Sequence, residues 1–505
     1  MNAQDLKQIQ EHGSSIEAVE SQINTFQQGS KFINLYKAAT KPDDIIAISS
    51  LHTEHTDNKQ YKLYSFIPAS GAASRMFKSL FETLDRINSN ADYVLPDDGT
   101  FQSPAYFFSH LKELALCHSL QQALEKDGLN LDWLLGNKDY KTILEYLLTD
   151  KGLNFGNTPK ALIEFHHDTD GYHYAFEEHI SEAINYTDNK NVYLHYTLSP
   201  EHIDRFLEAA KKVIPEFESK YGCKIHISTS IQSPSTDTIA VNPDNTLFRN
   251  DDGSILFRPG GHGSLIYNLN NIDSDIILIK NIDNVVPQSK RETIVECRRK
   301  FISHIKYLFE KRNDILREIS TGSEDDKLFD EAVTFMKNEL NLNISQDFKK
   351  LAKSDKTNII KEMLDRPIRI CGMVKNSGEP GGGPFIVKDE KGNLSKQIVE
   401  SSQINHNDEQ QEKIFRSSTH FNPVDIVCMT KDLNGNRYDL TKYIDKATSF
   451  ISNKSKNGKP IKVLELPGLW NGAMSGWITL FVEVPAETFN PVKTVNDLFR
   501  PMHIA

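Results

Sequence analysis

The sequence lacks any apolar run long enough to span a bilayer, so a helical membrane protein is not the expected class. Its first twenty residues, Met1–Glu20, are polar and carry acidic side chains. They have neither the basic start nor the apolar core of a secretory signal, and the expected address is the cytoplasm. Cysteine is scarce, with five in 505 residues. Cys117, Cys223, Cys297, Cys371 and Cys428 lie far apart, are odd in number and form no Cys-x-x-Cys pair. A zinc site or a disulfide framework is therefore not expected, and buried free thiols are. There is no excess of basic charge either: 58 Lys and Arg stand against 69 Asp and Glu, for a net charge of −11. That argues against a general nucleic-acid binder but leaves room for a local cluster of cations around a phosphate. No internal repeat and no low-complexity segment is visible.

What is present is an ordinary globular composition, 38% hydrophobic and 25% charged. The length suits a large α/β unit with added segments. Apolar residues at helical spacing (Ile9, Ile16, Val19, Ile23, Phe26) predict a helical N-terminal arm over residues 1–55. The catalytic domain is expected over 56–505, with a helical insertion at about 87–150 and a distinct C-terminal part at about 431–505. Leu63–Ile67 reads as a strand, followed by a small-residue turn and a helix from Ser74 to Arg86. After the insertion, strand and helix alternate. Strands are predicted at Val192–Tyr196, Lys224–Thr229, Ile276–Lys280, Ile368–Val374, Val424–Met429, Lys462–Leu466 and Ile478–Val484. A hairpin is predicted around Asp252-Gly253. Such alternation implies a mixed or parallel sheet covered by helices, with ligands at the carboxyl ends of its strands.

Several short strings carry chemistry. Pro68-Ala-Ser-Gly-Ala-Ala-Ser-Arg75 joins a strand to a helix. Small residues there let backbone N–H groups approach an anion, and Arg75 can grip phosphate oxygens with its planar fork. Taken alone, a tight turn with a solvated Arg is the commoner meaning. Thr158-Pro159-Lys160-Ala161-Leu162 offers a second cation. Arg258-Pro-Gly-Gly261-His262-Gly263-Ser264 leads through a short helix and an apolar strand to Asn281-Ile-Asp283-Asn284. An Asp at a strand end suits magnesium, which takes one or two carboxylates plus phosphate oxygens; it equally suits a turn cap. Val399-Glu400 and Phe421-Asn422 supply a carboxylate and an amide of the kind that bind vicinal hydroxyls. Asp425 is open between a second metal ligand and a turn terminator. The Gly-rich string Gly378–Pro384 and Trp470-Asn471-Gly472 are open between pocket wall and packing. Phe489-Asn-Pro-Val-Lys493 adds a third cation late in the chain.

In this order the strings resemble the UDP-sugar pyrophosphorylase family, and a bacterial branch of it, from about Tyr61 to Arg500. Gly71, Ser74 and Arg75 fall on the second Gly, the Thr and the Arg of its Gly-Gly-x-Gly-Thr-Arg signature. Ser70 and Ala73 stand where that pattern has glycine. Residues 259–263 are similar to its Pro-x-Gly-His-Gly segment, and the segment ending at Lys493 to its Phe-x-Pro-Val-Lys. Ser264 replaces an Asp, and Gln403 replaces a second Glu after Glu400.

The resemblance implies a GT-A-like (Rossmann-like) nucleotidyltransferase fold with a mixed central sheet. It implies transfer of a nucleotide from UTP, or another NTP, to a sugar 1-phosphate with release of pyrophosphate, Mg2+ as cofactor, and neither nucleic acid nor membrane as partner. On that basis Arg75, Lys160 and Lys493 are catalytic. Ser70, Gly71, Ser74, Gln232, Gly261, His262 and Gly263 bind the nucleotide. Glu400 and Asn422 hold the sugar, and Asp283 with Asp425 the metal. A GT-A glycosyltransferase and a non-catalytic nucleotide or sugar-nucleotide sensor remain as alternatives.

Overall fold

A computed structural model describes residues 1–53, 60–71, 73–90, 92–96, 99–187, 190–322, 325–378 and 381–504. The expected loop residues Ala72, Glu379 and Pro380 lie outside these. The chain divides into two units, each assembled from three stretches. One comprises Met1–Leu63, Gln232–Ile279 and Lys300–Ala486; the other comprises Tyr64–Ile231, Lys280–Arg299 and Glu487–Ala505. We call them the larger and the smaller unit. The architecture is α/β with mixed strand pairing.

In the larger unit the strands Ile45–Ala47, Ile478–Glu483, Ile368–Lys375, Asp425–Met429 and Ile276–Lys280 lie side by side in that order. Ile368–Lys375 runs parallel to Ile478–Glu483 and antiparallel to Asp425–Met429. All five residues of Ile276–Lys280 are buried, which is why that strand reads as an uninterrupted apolar run. A three-stranded antiparallel sheet joins Leu35–Ala38, Gly383–Lys388 and Leu394–Val399. A four-stranded sheet joins Phe450–Lys456, Lys459–Glu465, Thr238–Val241 and Phe257–Arg258. The turn at Asp252-Gly253 forms, with Gly253 at φ +83° and a bridge between Arg249 and Ile255.

The N-terminal stretch departs from its expectation. Ala3–Glu11 and Ile16–Gln28 are helices, opened by Asn2 with a capping box to Asp5 and by Ser15. Ile9, Val19 and Phe26 pack with Ile239, Val241, Ile255 and Leu464 in one buried cluster. Helix then ends at Gly29, φ +85°, and the stretch continues as the strands Leu35–Ala38 and Ile45–Ala47. Their partners, Gly383–Lys388 and Ile478–Glu483, are hundreds of residues away, so no local signal announces them.

The smaller unit has three parallel strands, Leu63–Pro68, Asn191–Thr197 and Lys224–Ser230. The insertion is helical as expected: Pro104–His110, Leu116–Lys126, Leu131–Gly136 and Tyr140–Leu148. Ser103 caps the first of these, with Pro104 in the first turn. The helix Ala175–Tyr186 is buried along nearly its whole length, including Glu177, Glu178 and Glu182. Burial of a carboxylate demands a partner. Glu182 takes both oxygens to Lys280 at 2.7 and 2.6 Å, and Glu178 meets Arg291 and His166. A hairpin, Glu164–Asp168 with Gly171–Tyr174, follows Lys160 directly and was not anticipated.

Candidate functional site

The turn after the strand Leu63–Pro68 is pinned at both ends. Ala69 N–H donates to the Thr197 carbonyl at 3.0 Å, and Ala73 N–H donates to the Thr158 carbonyl at 2.9 Å. Ser199 Oγ donates to the Ser70 carbonyl at 2.7 Å. Gly71, Ser74 and Arg75 are exposed, and Ser70 is half-buried. A Cβ added at Gly71 would meet nothing within 4 Å. Ala73, one of the two departures from the glycine pattern, is fully buried, so its methyl packs inward. The helix expected from Ser74 begins only at Lys78, because Ala73–Arg75 form a 3₁₀ turn. Met76 and Phe77 are buried there, and the Met76 carbonyl accepts from Val495 N–H at 3.0 Å instead of continuing a helix. Arg75 thus belongs to a turn rather than to a helix start.

The Thr158 carbonyl that receives Ala73 sits two residues before Lys160. Arg205 holds the Thr158 hydroxyl at 2.8 Å. Lys160 Nζ donates to Asp283 Oδ2 at 3.0 Å and to the Val492 carbonyl at 2.9 Å. Lys160 and Asp283 side chains are 14% and 12% exposed. Val492 N–H returns a bond to the Asp283 carbonyl at 3.0 Å. Lys493 follows, exposed, its backbone N–H on Asp497 Oδ2 at 2.9 Å. The smaller unit therefore brings together the turn at Ser70–Arg75, Lys160, Asp283 and Lys493. Backbone bonds tie the turn to Thr158 and Asp283 to Val492, and the Lys160 ammonium joins the two pairs. The Arg75 guanidinium and the Lys493 ammonium have no ion-pair partner among the described residues. Cations of this kind are suited to a polyanion.

The larger unit holds a second cluster. Gly261 adopts φ +77°, a conformation that favours glycine. Gly263 is required by space: a Cβ there would lie 2.3 Å from the Pro467 carbonyl oxygen. This glycine thus lets the 260–264 loop pack closely on residues 465–467. The His262 ring stacks on Trp470, centroids 4.3 Å apart, and its Nδ1 accepts from Leu469 N–H at 3.2 Å. The proton of the neutral ring is then on Nε2, which faces Glu400 Oε1 at 3.9 Å. Burial lowers the pKa of His262, opposed by the carboxylates of Glu400 and Glu465. Glu400 Oε1 also accepts from Asn471 Nδ2 at 2.9 Å.

Gly261, His262, Gly263 and Glu400 are thus neighbours. Asn422 is buried and its amide is committed on both sides, donating to the Gly372 carbonyl at 2.9 Å and accepting from Val424 N–H at 3.1 Å. It braces a turn in which Val424 is held at φ +60°, an unusual conformation for a β-branched residue. Asp425 opens the strand Asp425–Met429 at 1% exposure. Gln232 is half-buried, and its Nε2 has no hydrogen-bond partner among the described residues.

Asp283 and Asp425 belong to different units. Among the described residues no group of three or more His, Cys, Asp or Glu could hold a metal ion. Asp283 does offer one buried oxygen, Oδ1, without a hydrogen-bond partner among those residues. A single carboxylate of this kind fits Mg2+ when most of its shell comes from water and phosphate oxygens.

A family model matches residues 2–504. The chain belongs to the DUF4301 family, described as a domain of unknown function. No curated protein matches it. Solved structures similar to it include a UDP-glucose phosphorylase from Trypanosoma brucei, 13% identical, with TM-score 0.47 over 98% of this chain and 77% of that one. Another is the UDP-glucose pyrophosphorylase from Leishmania major, 12% identical, with TM-score 0.45 over 98% and 77%. Among the described residues no helix is long and apolar enough to cross a membrane.

Four residues of this DUF4301 chain hold the clusters in place: Thr158, Asn284 and Asn471, which stand in the strings read from sequence but were given no bracing role there, and Asp497, which was not singled out. One had a legible signal. Thr494-Val-Asn-Asp497 is a capping box, and it forms. The others act through partners distant in sequence, and no local pattern marks them.

Proposed function

We propose that this chain is a Mg2+-dependent sugar-1-phosphate nucleotidyltransferase with a GT-A-like fold, which forms a nucleotide sugar, UDP-sugar foremost, and releases pyrophosphate. What supports the reading is one run of hydrogen bonds in the smaller unit, from the backbone of the Ser70–Arg75 turn to Thr158 beside Lys160, and from Lys160 to Asp283 and to Val492 beside Lys493. The turn, Lys160, Asp283 and Lys493 are the groups that the motif resemblance assigns to the polyphosphate.

In this reading the sugar-phosphate oxygen attacks the α-phosphorus and the O–P bond to pyrophosphate breaks. No covalent protein nucleophile is needed, so catalysis rests on alignment and on neutralising charge. The turn around Gly71 supplies backbone donors with open space above them. Arg75 grips phosphate oxygens with two parallel N–H groups. Lys160 and Lys493 place point charges against the transferred phosphoryl group and the leaving pyrophosphate. Mg2+, when bound, would neutralise phosphate oxygens as a Lewis acid, and Asp283 is the carboxylate that would hold it. The Gly261–Gly263 loop and Gln232 are assigned to the base, and Glu400, oriented by Asn471, to sugar hydroxyls.

The test is direct. The protein is incubated with Mg2+, a panel of nucleoside triphosphates and a panel of sugar 1-phosphates, and pyrophosphate is measured. Release that requires both substrates is the expected result. Tight UTP binding with no release from any pair would overturn turnover and leave a nucleotide sensor.

A further inference from the structure

The turn that carries Asp283 also carries Asn284, which is 2% exposed and so cannot meet a substrate. Its amide is used at both ends. Oδ1 accepts from Asn490 N–H at 2.8 Å, and Nδ2 donates to the Thr488 carbonyl at 3.3 Å. Its backbone pairs with Pro491 in an antiparallel bridge. Proline has no N–H, so ordinary strand pairing at this point lacks a donor. The Asn284 side chain engages the backbone just before the proline, and the Asp283 carbonyl takes Val492 N–H just after it, at 3.0 Å.

We infer that Asn284 is a positioning residue that sets the register of the stretch Thr488–Lys493 and, through it, the places of Lys160 and Lys493. The inference rests on the nucleotidyltransferase reading and deepens it. Val492 is the pivot. Its N–H is tied to the backbone of Asp283, and its carbonyl to the ammonium of Lys160, which also holds the Asp283 carboxylate. A slip of one residue here would carry the Val492 carbonyl away from Lys160 and displace Lys493 with it. Only a planar amide of this length offers a donor and an acceptor to the two backbone groups at once. Asp keeps the acceptor and loses the donor; Ala loses both.

The experiment is a double-mutant cycle on the full chain. Asn284→Ala is expected to lower the rate of pyrophosphate release at saturating substrates by about 100-fold, the scale of a small misplacement of catalytic groups. In a Lys493→Ala background the same change should cost at least about 5-fold less than in wild type, because part of its effect runs through a group already removed. Asn284→Asp should fall between wild type and Ala. Losses that multiply in the double variant, or an unchanged rate in Asn284→Ala, overturn the inference. Should Asn284→Ala fail to fold, Asn284→Asp with amide hydrogen exchange decides. Fast exchange at Val492 within an otherwise protected unit is expected, and unchanged protection there overturns it. Should the wild type release no pyrophosphate from any pair, the nucleotidyltransferase reading fails by itself. Calorimetry with inorganic pyrophosphate then runs the same cycle on affinity, and a wild type that binds no pyrophosphate overturns the positioning role too.

Discussion

The two clusters treat their polar side chains in opposite ways. In the smaller unit, Arg75 and Lys493 are exposed with no ion-pair partner among the described residues, and Asp283 keeps a buried oxygen without a hydrogen bond among them. In the larger unit, the groups around Glu400 are engaged with one another. His262 is stacked on Trp470 and fixed by Leu469 N–H, and Asn471 holds Glu400. Unpaired charge at a surface is stable only because water screens it, and it is ready to exchange that water for phosphate. A neutral ring and a hydrogen-bonded carboxylate are instead shaped in advance. Substitutions in the first cluster should therefore change rate more than stability, and those in the second should change stability first.

The sharpest break would come from Asp283→Asn. It should abolish pyrophosphate release while the chain still folds, because the Asn amide oxygen can still accept from Lys160; an active variant would remove Asp283 from the metal role. Next, Lys493→Ala should slow transfer by about 100- to 1000-fold with little loss of stability, as loss of one preorganised charge does. A near-normal rate would return Lys493 to the solvated surface. Gly263→Ala probes the other cluster. Its methyl would meet the Pro467 carbonyl, so the variant should lose about 1–3 kcal/mol of stability in denaturant unfolding. Full stability would mean that the 260–264 loop shifts freely.

The smallest effect concerns acid. Burial depresses His179 and His195 to about 4 and His503 to about 3 in the smaller unit. In the larger unit burial likewise depresses His304 to about 4, and it lowers His262. A histidine kept neutral by the fold takes up its proton first in the unfolded chain, near pH 6.5. Its contribution therefore falls as pH drops from about 6.5 toward the folded value. His173 works the other way. Glu177 and Asp168 raise it to about 9, so its contribution is full below about 6.5 and is lost as pH rises through 9. Hydrogen exchange between pH 7 and pH 5 should show protection fading sooner in the smaller unit; equal fading would sink this part of the contrast.

Much of the fold was legible because its signals are local. The buried strand Ile276–Lys280 announces itself as an apolar run, and the insertion by helical spacing and by Ser103-Pro104. The strands at Leu35–Ala38 and Ile45–Ala47 were not legible, since they follow two amphipathic helices and owe their form to distant partners. The site divides in the same manner. Arg75, Lys160, Asp283 and Lys493 stand in recognisable strings. The start of the helix at Lys78 and the bracing by Thr158, Asn284 and Asn471 depend on groups contributed from elsewhere in the chain.

By itself the sequence determined the alternation of strands and helices, the excess of acidic over basic residues and the identity of the charged groups that could meet a phosphate. Only the tertiary structure decided that the N-terminal helices are part of a core, that Gly263 serves packing, and that Lys160, Asp283 and Val492 close on one another. The physical reason is range. Periodicity and turn chemistry are written within a few residues, whereas a hydrogen bond between residues 160 and 492 exists only when the whole intervening chain has folded.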